Sequence, residues 1–292
     1  MPDATRATLA DLIVARWTEP SRTGSLIITI FGDAIAPRGG EIALADLIQL
    51  LAGLAIGPGV VRTAISRLAA DGWLEAARQG RISFYRLTAR SRAEFAAAEP
   101  RIYGKLERPW DGKLRLAFPA QGADRTHLET AGFAVLAPGV LASPDPAPEP
   151  LHLLATGEPA ALRAIAARAW PIDELAPLYA DYIARFAPLA PGAARLPPDQ
   201  AMPVRTLLIH DYRRVVLRDP RLPPGLLPPD WPGHAAHDLC TTMYAALAPA
   251  SERWLDQTRN GSGPLPRGPD PKQRFTQLYP PLSPSPAGRG LG

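Results

Sequence analysis

The stretch VVRTAISRLAADGWL, residues 60–74, runs as an amphipathic helix into a turn. At about 100° per residue, Val61, Ala64, Ile65 and Leu68 share one arc, while Arg62, Thr63, Ser66 and Arg67 share the opposite one. That polar arc holds two guanidinium groups, two hydroxyls and no carboxylate. A solvated helix face usually mixes signs, and this one does not. Arginine forks onto guanine edges or phosphates, and serine and threonine bond to either, so the arc has the chemistry of a nucleic-acid-reading surface.

The flanks support that reading. Gly57-Pro58-Gly59 makes a tight entry to the helix and Asp71-Gly72 ends it. Residues 73–78 and 81–87, joined by a turn at Gln79-Gly80, read as a β-hairpin that carries Arg78, Arg81 and Arg86. Upstream, helical periodicity is expected over residues 5–18, 25–36 and 44–51. A helical set followed at once by a hairpin is the winged variant of the helix-turn-helix. In that arrangement the recognition helix enters the major groove and the wing touches the backbone.

Charge is distributed accordingly. The chain of 292 residues has a net charge of +4, but that excess resides after residue 258. Residues 60–92 carry seven arginines against Asp71 and Glu75, whereas residues 1–59 are net −2. A local basic concentration of this kind is an electrostatic footprint for phosphate. The single Cys240 rules out an intramolecular disulfide framework, so a cytoplasmic setting is expected. No signal peptide is expected at the N-terminus. The apolar run SLIITIFGDAIA is too short for a membrane span and is interrupted by Asp33.

Beyond a linking helix over residues 91–110, strands are expected at 113–119, 132–137, 139–143 and 151–155. Helices are expected at 125–131 and 159–169. This order suggests a small sheet with helices on one face, an α+β sandwich of ferredoxin-like kind. From residue 172 helices alternate with proline clusters, roughly over 173–187, 200–218 and 234–256. After Gln257 the apolar period is lost and disorder is expected. The fold class is thus multidomain α+β: a winged helix-turn-helix over 1–92, a linker helix and ferredoxin-like domain over 93–171, a helical C-terminal domain over 172–258, and a Pro/Gly-rich tail over 259–292.

The segments SLIITIFGDAIAPRGG, VRTAISRLAADGWL and GRISFYRLT resemble the N-terminal module of PaaX-type transcriptional repressors, regulators of phenylacetic acid degradation. AGFAVLAPGVLASP and LLIHDYRRVVLRDPRLPPGLLPPDWPG extend the resemblance to residue 258, while the tail resembles no part of the family. The resemblance implies a Cas2-like central domain that mediates homodimerisation on a palindromic double-stranded DNA operator. It implies release by an aryl-acetyl-CoA thioester such as phenylacetyl-CoA, with no enzymatic activity and no cofactor. By matching segment, the DNA-reading positions are Arg62, Thr63, Ser66 and Arg67 on the helix, with Arg81 and Tyr85 on the wing; Arg78 on the wing joins them by its charge.

A place for the effector is suggested by residues 205–221, which hold five arginines against Asp211 and Asp219. Arg214, Arg218 and Arg221 fall on one helical stripe with His210 a turn earlier, and Arg213 stands beside them. Trp231 and Tyr244 offer aromatic surface for a phenyl ring. The competing and favoured expectation is that Asp211 and Asp219 pair with these arginines to pin a structural helix.

Two rival classes stand beside this one. His210-Asp211 with His234, His237 and Asp238 resembles the ligand set of a metal-dependent HD-type phosphohydrolase, but the first histidine of that set would have to come from His127 or His152 in another domain. A winged-helix protein-interaction scaffold is the other. No nucleophile elbow, phosphate loop or dinucleotide fingerprint appears.

Overall fold

The computed structural model describes residues 23–104, 109–119, 126–145, 152–260 and 263–275. The helix expected over residues 5–18 lies outside these. Helix α1 (Thr23–Ile30) continues through a π turn (Phe31–Ile35) and a 3-10 turn (Ala36–Arg38). It ends at Gly39 and Gly40, both at positive φ. A short strand β1 (Glu41–Ala43) leads into α2 (Leu44–Ala52), and α3 (Pro58–Ala70) follows. Pro58 occupies the first turn of α3, where its missing N–H costs nothing. Its C-terminus is a Schellman motif: Gly72 at φ 74 lets the Trp73 amide reach Leu68 carbonyl at 2.8 Å and its own amide reach Ala69 at 3.1 Å.

The expected hairpin is β2 (Leu74–Gln79) and β3 (Ile82–Leu87), paired from Leu74↔Leu87 to Gln79↔Ile82 around Gly80-Arg81. Pattern reading missed β1, whose three residues pair antiparallel with β3 and make the sheet three-stranded, in the order β1-β3-β2. Three residues are too few to display a period of two.

Helix α4 (Ala89–Tyr103) leads to the central sheet of β4 (Leu114–Ala117), β5 (Ala134–Ala137), β6 (Val140–Ser143) and β7 (His152–Ala155), all neighbours antiparallel in the order β5-β6-β4-β7. The short α5 (Thr126–Thr130) places Leu128 with Ala117, Phe133 and Leu141, whereas α6 (Pro159–Ala169) joins Leu162 and Ala166 to the cluster holding Leu114 and Ala142. Leu141 and Ala142 are adjacent on β6 and face opposite ways, so the two helices cover opposite faces. Helices on a single face had been expected.

The C-terminal helices are α7 (Ile172–Phe186), α8 (Pro198–Val216) and α9 (Pro232–Gln257), close to the expected bounds. Helix α8 is almost wholly buried, and α1 packs against both it and α3. One apolar core runs without interruption from Leu26 and Ile65 through Leu208 and Tyr244 to Phe275. The approach is close enough that a Cβ on Gly53 would stand 2.9 Å from Pro203 Cγ, and one on Gly32 would collide with Phe95.

The expected disorder after residue 258 is corrected for its first part. Strands β8 (Arg259–Asn260) and β9 (Gly263–Pro264) pair, and a 3-10 turn over Pro271–Phe275 returns to the core. Leu265, Arg274 and Phe275 are all buried. Isolated anchors seated one at a time leave no periodic signature, so the sequence pattern does not reveal this strap.

Candidate nucleic-acid interface

Helix α3 buries Val61, Ile65 and Leu68 and exposes the other arc. Arg62, Thr63, Ser66 and Arg67 are exposed, as are Arg78 and Arg81 on the hairpin, while Tyr85 is half-buried on β3. Among the described residues Arg62, Arg67, Arg78 and Arg81 take part in no ion pair. Arg86 is different: its Nε donates to Glu75 at 2.8 Å, so the wing's charge at that point is neutralised. Thr63 donates its hydroxyl proton back to the Gly59 carbonyl at 3.0 Å, leaving its methyl group and both oxygen lone pairs for an outside partner.

What holds this module is a buried charge network that the sequence reading did not single out. Asp33, on the π turn after α1, accepts Arg205 Nε at 2.8 Å, the Tyr103 hydroxyl at 2.8 Å, the Tyr244 hydroxyl at 2.9 Å and Arg274 Nη1 at 3.2 Å. Burial pushes its carboxyl up, but the Arg205 and Arg274 guanidinium groups and these hydrogen bonds more than reverse that and hold it below the ordinary carboxylate range. Arg205 also donates to Glu252 at 2.5 Å, and Arg38 joins Glu252 and Asp256. Arg274 reaches Glu99 at 2.6 Å. Four separate segments meet at one aspartate. The signal was visible: a lone acid inside the apolar run SLIITIFGDAIA requires a partner.

The residues expected around an effector are scattered by the fold. Helix α8 ends at Val216, so Arg218 and Arg221 do not continue a helical stripe, and Arg221 sits at φ 55. Arg218 is exposed and Arg214 half-buried. Trp231 and Tyr244 are core side chains: Trp231 packs edge-on to Tyr179 at 5.6 Å, and Tyr244 belongs to the Asp33 network. Asp211 pairs with Arg185 at 3.0 Å. Asp219 accepts the Tyr179 hydroxyl at 2.7 Å and the Arg221 amide at 2.6 Å. His210 is buried with Nδ1 2.9 Å from the Thr29 hydroxyl, and Arg213 Nε donates to that hydroxyl at 2.7 Å.

The rival metal set does not assemble among the described residues, where no three His, Cys, Asp or Glu side chains converge. His237 bonds instead to the Tyr212 hydroxyl at 3.0 Å. Burial raises the Cys240 thiol to about 12, far from a reactive thiolate. No described helix is long and apolar enough to cross a membrane.

Comparison with known proteins adds three findings. Residues 22–91 match the family described as PaaX-like protein, and residues 170–257 match the PaaX-like protein C-terminal domain. The chain is 38% identical over 276 residues to the transcriptional repressor PaaX of Escherichia coli (strain K12), covering 83% of this chain and 86% of that one. A solved structure of an uncharacterized protein from Mycobacterium tuberculosis is 24% identical with a TM-score of 0.45, covering 70% of this chain and 90% of that one.

Proposed function

The chain belongs to the PaaX-like family, and on that premise we propose that it is a transcriptional repressor of an aromatic, phenylacetic acid catabolic operon. It does no chemistry; it occupies DNA. The single observation that carries this reading is the outward arc of α3, where Arg62 and Arg67 stand exposed with no ion pair among the described residues. In this reading β1-β3-β2 and the helices before it form a winged helix-turn-helix. Arg62 and Arg67 contact bases or phosphates, Thr63 and Ser66 set register, and Arg78, Arg81 and Tyr85 grip the adjacent backbone.

The repressor acts as a homodimer, with two α3 helices in successive major grooves about 34 Å apart. The central sheet supports this, because its edge strand β7 exposes Leu153 and Leu154 at 63% and 53%. An edge strand with two exposed leucines invites pairing. An aryl-acetyl-CoA thioester such as phenylacetyl-CoA then releases the dimer by binding the DNA-incompetent arrangement more tightly. Moving the population from 99:1 to 1:99 takes about 5.5 kcal/mol of differential affinity.

The test is fluorescence anisotropy of the chain on its own upstream DNA, with and without phenylacetyl-CoA. Saturable binding reversed by the thioester is expected. Binding equal to that on a scrambled duplex, or indifference to the thioester, contradicts the reading.

A further inference from the structure

A cavity of about 370 Å³ opens where the DNA-reading module, α4 and α8 meet. Its wall is mainly apolar, built from Ile28 of α1, Phe95, Ala98 and Ile102 of α4, and Ile209 and Leu217 of and just after α8. Trp73 and Leu87, at the base of the hairpin, line the same space, and Pro269 and Arg274 of the strap close one side. The volume lies at the lower end of those that hold small organic ligands. Since a dry cavity of about 150 Å³ admits benzene, this one admits an aryl ring with a short acyl arm, but no nucleotide beside it.

One lining group is electrostatically incomplete. Arg213 is only 5% exposed, yet its hydrogen bonds run from Nε to Thr29 and from Nη2 to the Ser25 carbonyl and hydroxyl, at 2.7, 3.0 and 2.6 Å. No carboxylate pairs with it among the described residues, and Nη1 has no partner among them. Of the other buried arginines, Arg38, Arg115, Arg205 and Arg274 each face at least one acid. Burial lowers the Arg213 pKa to about 10, with Arg214 pushing the same way against Tyr103. A buried cation without a counter-charge is unfavourable unless something supplies the missing oxygen.

We propose that this cavity is the effector site, taking the aryl-acetyl group of the ligand with its carbonyl or carboxylate oxygen on Arg213 Nη1. The inference rests on the effector reading above and adds its location. The coenzyme portion of a thioester stays outside, at a mouth where the exposed Arg92 lies among the lining residues. The coupling route is short: Trp73 lines the cavity, and its amide closes the C-terminal motif of α3 on Leu68. A ligand that shifts Trp73 therefore shifts the DNA-reading helix.

Isothermal titration of the full chain with phenylacetyl-CoA, phenylacetate and CoA tests the site, using Arg213→Gln and the cavity-filling Ala98→Phe, which leaves Arg213 in place. The expected result is one site per chain, absent for CoA alone and weakened about 10- to 100-fold by either substitution. Binding of phenylacetate as well as the thioester would mark a carboxylate-accepting pocket; binding of the thioester alone would mark a carbonyl on Nη1. Unaltered affinity in both variants would place the effector elsewhere and overturn this inference while leaving effector control standing. A wild-type chain that binds neither aryl compound would overturn effector control itself, and the inference with it.

Discussion

Asp33 shows how much one side chain can organise. It sits on the turn that precedes α2 and α3, and its two oxygens gather partners from α4, α8, α9 and the strap. Substituting alanine leaves Arg205 and Arg274 buried with fewer acids between them. Asp33→Ala is expected to destabilise by about 3–5 kcal/mol, read as a shift in the urea midpoint. Arg62→Ala and Arg67→Ala, by contrast, are expected to change stability by less than about 0.5 kcal/mol, because both side chains are exposed and unpaired. The contrast separates arginines that hold the molecule from arginines held out by it. Sequence alone made half of that distinction. The acid-free arc around Arg62 was legible from periodicity, since it depends only on helix geometry. Arg205 and Arg213 looked alike on paper, because whether a buried arginine faces an acid is decided by residues some 170 to 190 positions away.

At the scale of elements, α3 was legible to within two residues at either end because its punctuation is local: Gly57-Pro58 starts it and Gly72 stops it. The hairpin and the C-terminal helices were legible for the same reason. The strap was not, because Leu265, Arg274 and Phe275 find their places individually on a surface made by others. Phe275 packs edge-on against Tyr103 at 5.1 Å and Tyr244 at 5.2 Å, so the strap finishes the aromatic core. Ending the chain after residue 262 is therefore expected to lower stability by about 3 kcal/mol or more, the cost of deleting one buried phenylalanine. In melting temperature this is roughly 6–12 °C. Phe275→Ala in the full chain should reproduce most of the loss. A truncation that melts with the intact chain would show that the strap only rests on the surface.

Across the whole molecule, the helices α1 to α3 and the C-terminal helices share one core. Titration reports on it. Burial lowers the His237 pKa, with Asp238 opposing and Arg221 and His234 adding to the effect. Its neutral form is thus favoured by folding. Stability from this group is full above the unfolded value of about 6.5 and is lost as pH falls from there to the lower native value. Asp33, held below its ordinary range, keeps its contribution down to about pH 4 and loses it as pH falls through the native value. Urea unfolding across pH 3–8 should show both declines, and His237→Gln should remove the upper one only.

The central claim is that the outward arc of α3 docks into a duplex, and its most direct measurement is the salt dependence of operator affinity for wild type and for Arg62→Ala/Arg67→Ala. The wild type is expected to weaken steeply between about 50 and 200 mM salt, as displaced counterions require. The double variant should melt like wild type, lose specific binding and show a slope shallower by the phosphate contacts removed. A double variant that binds the operator with undiminished affinity and an unchanged slope would contradict the account.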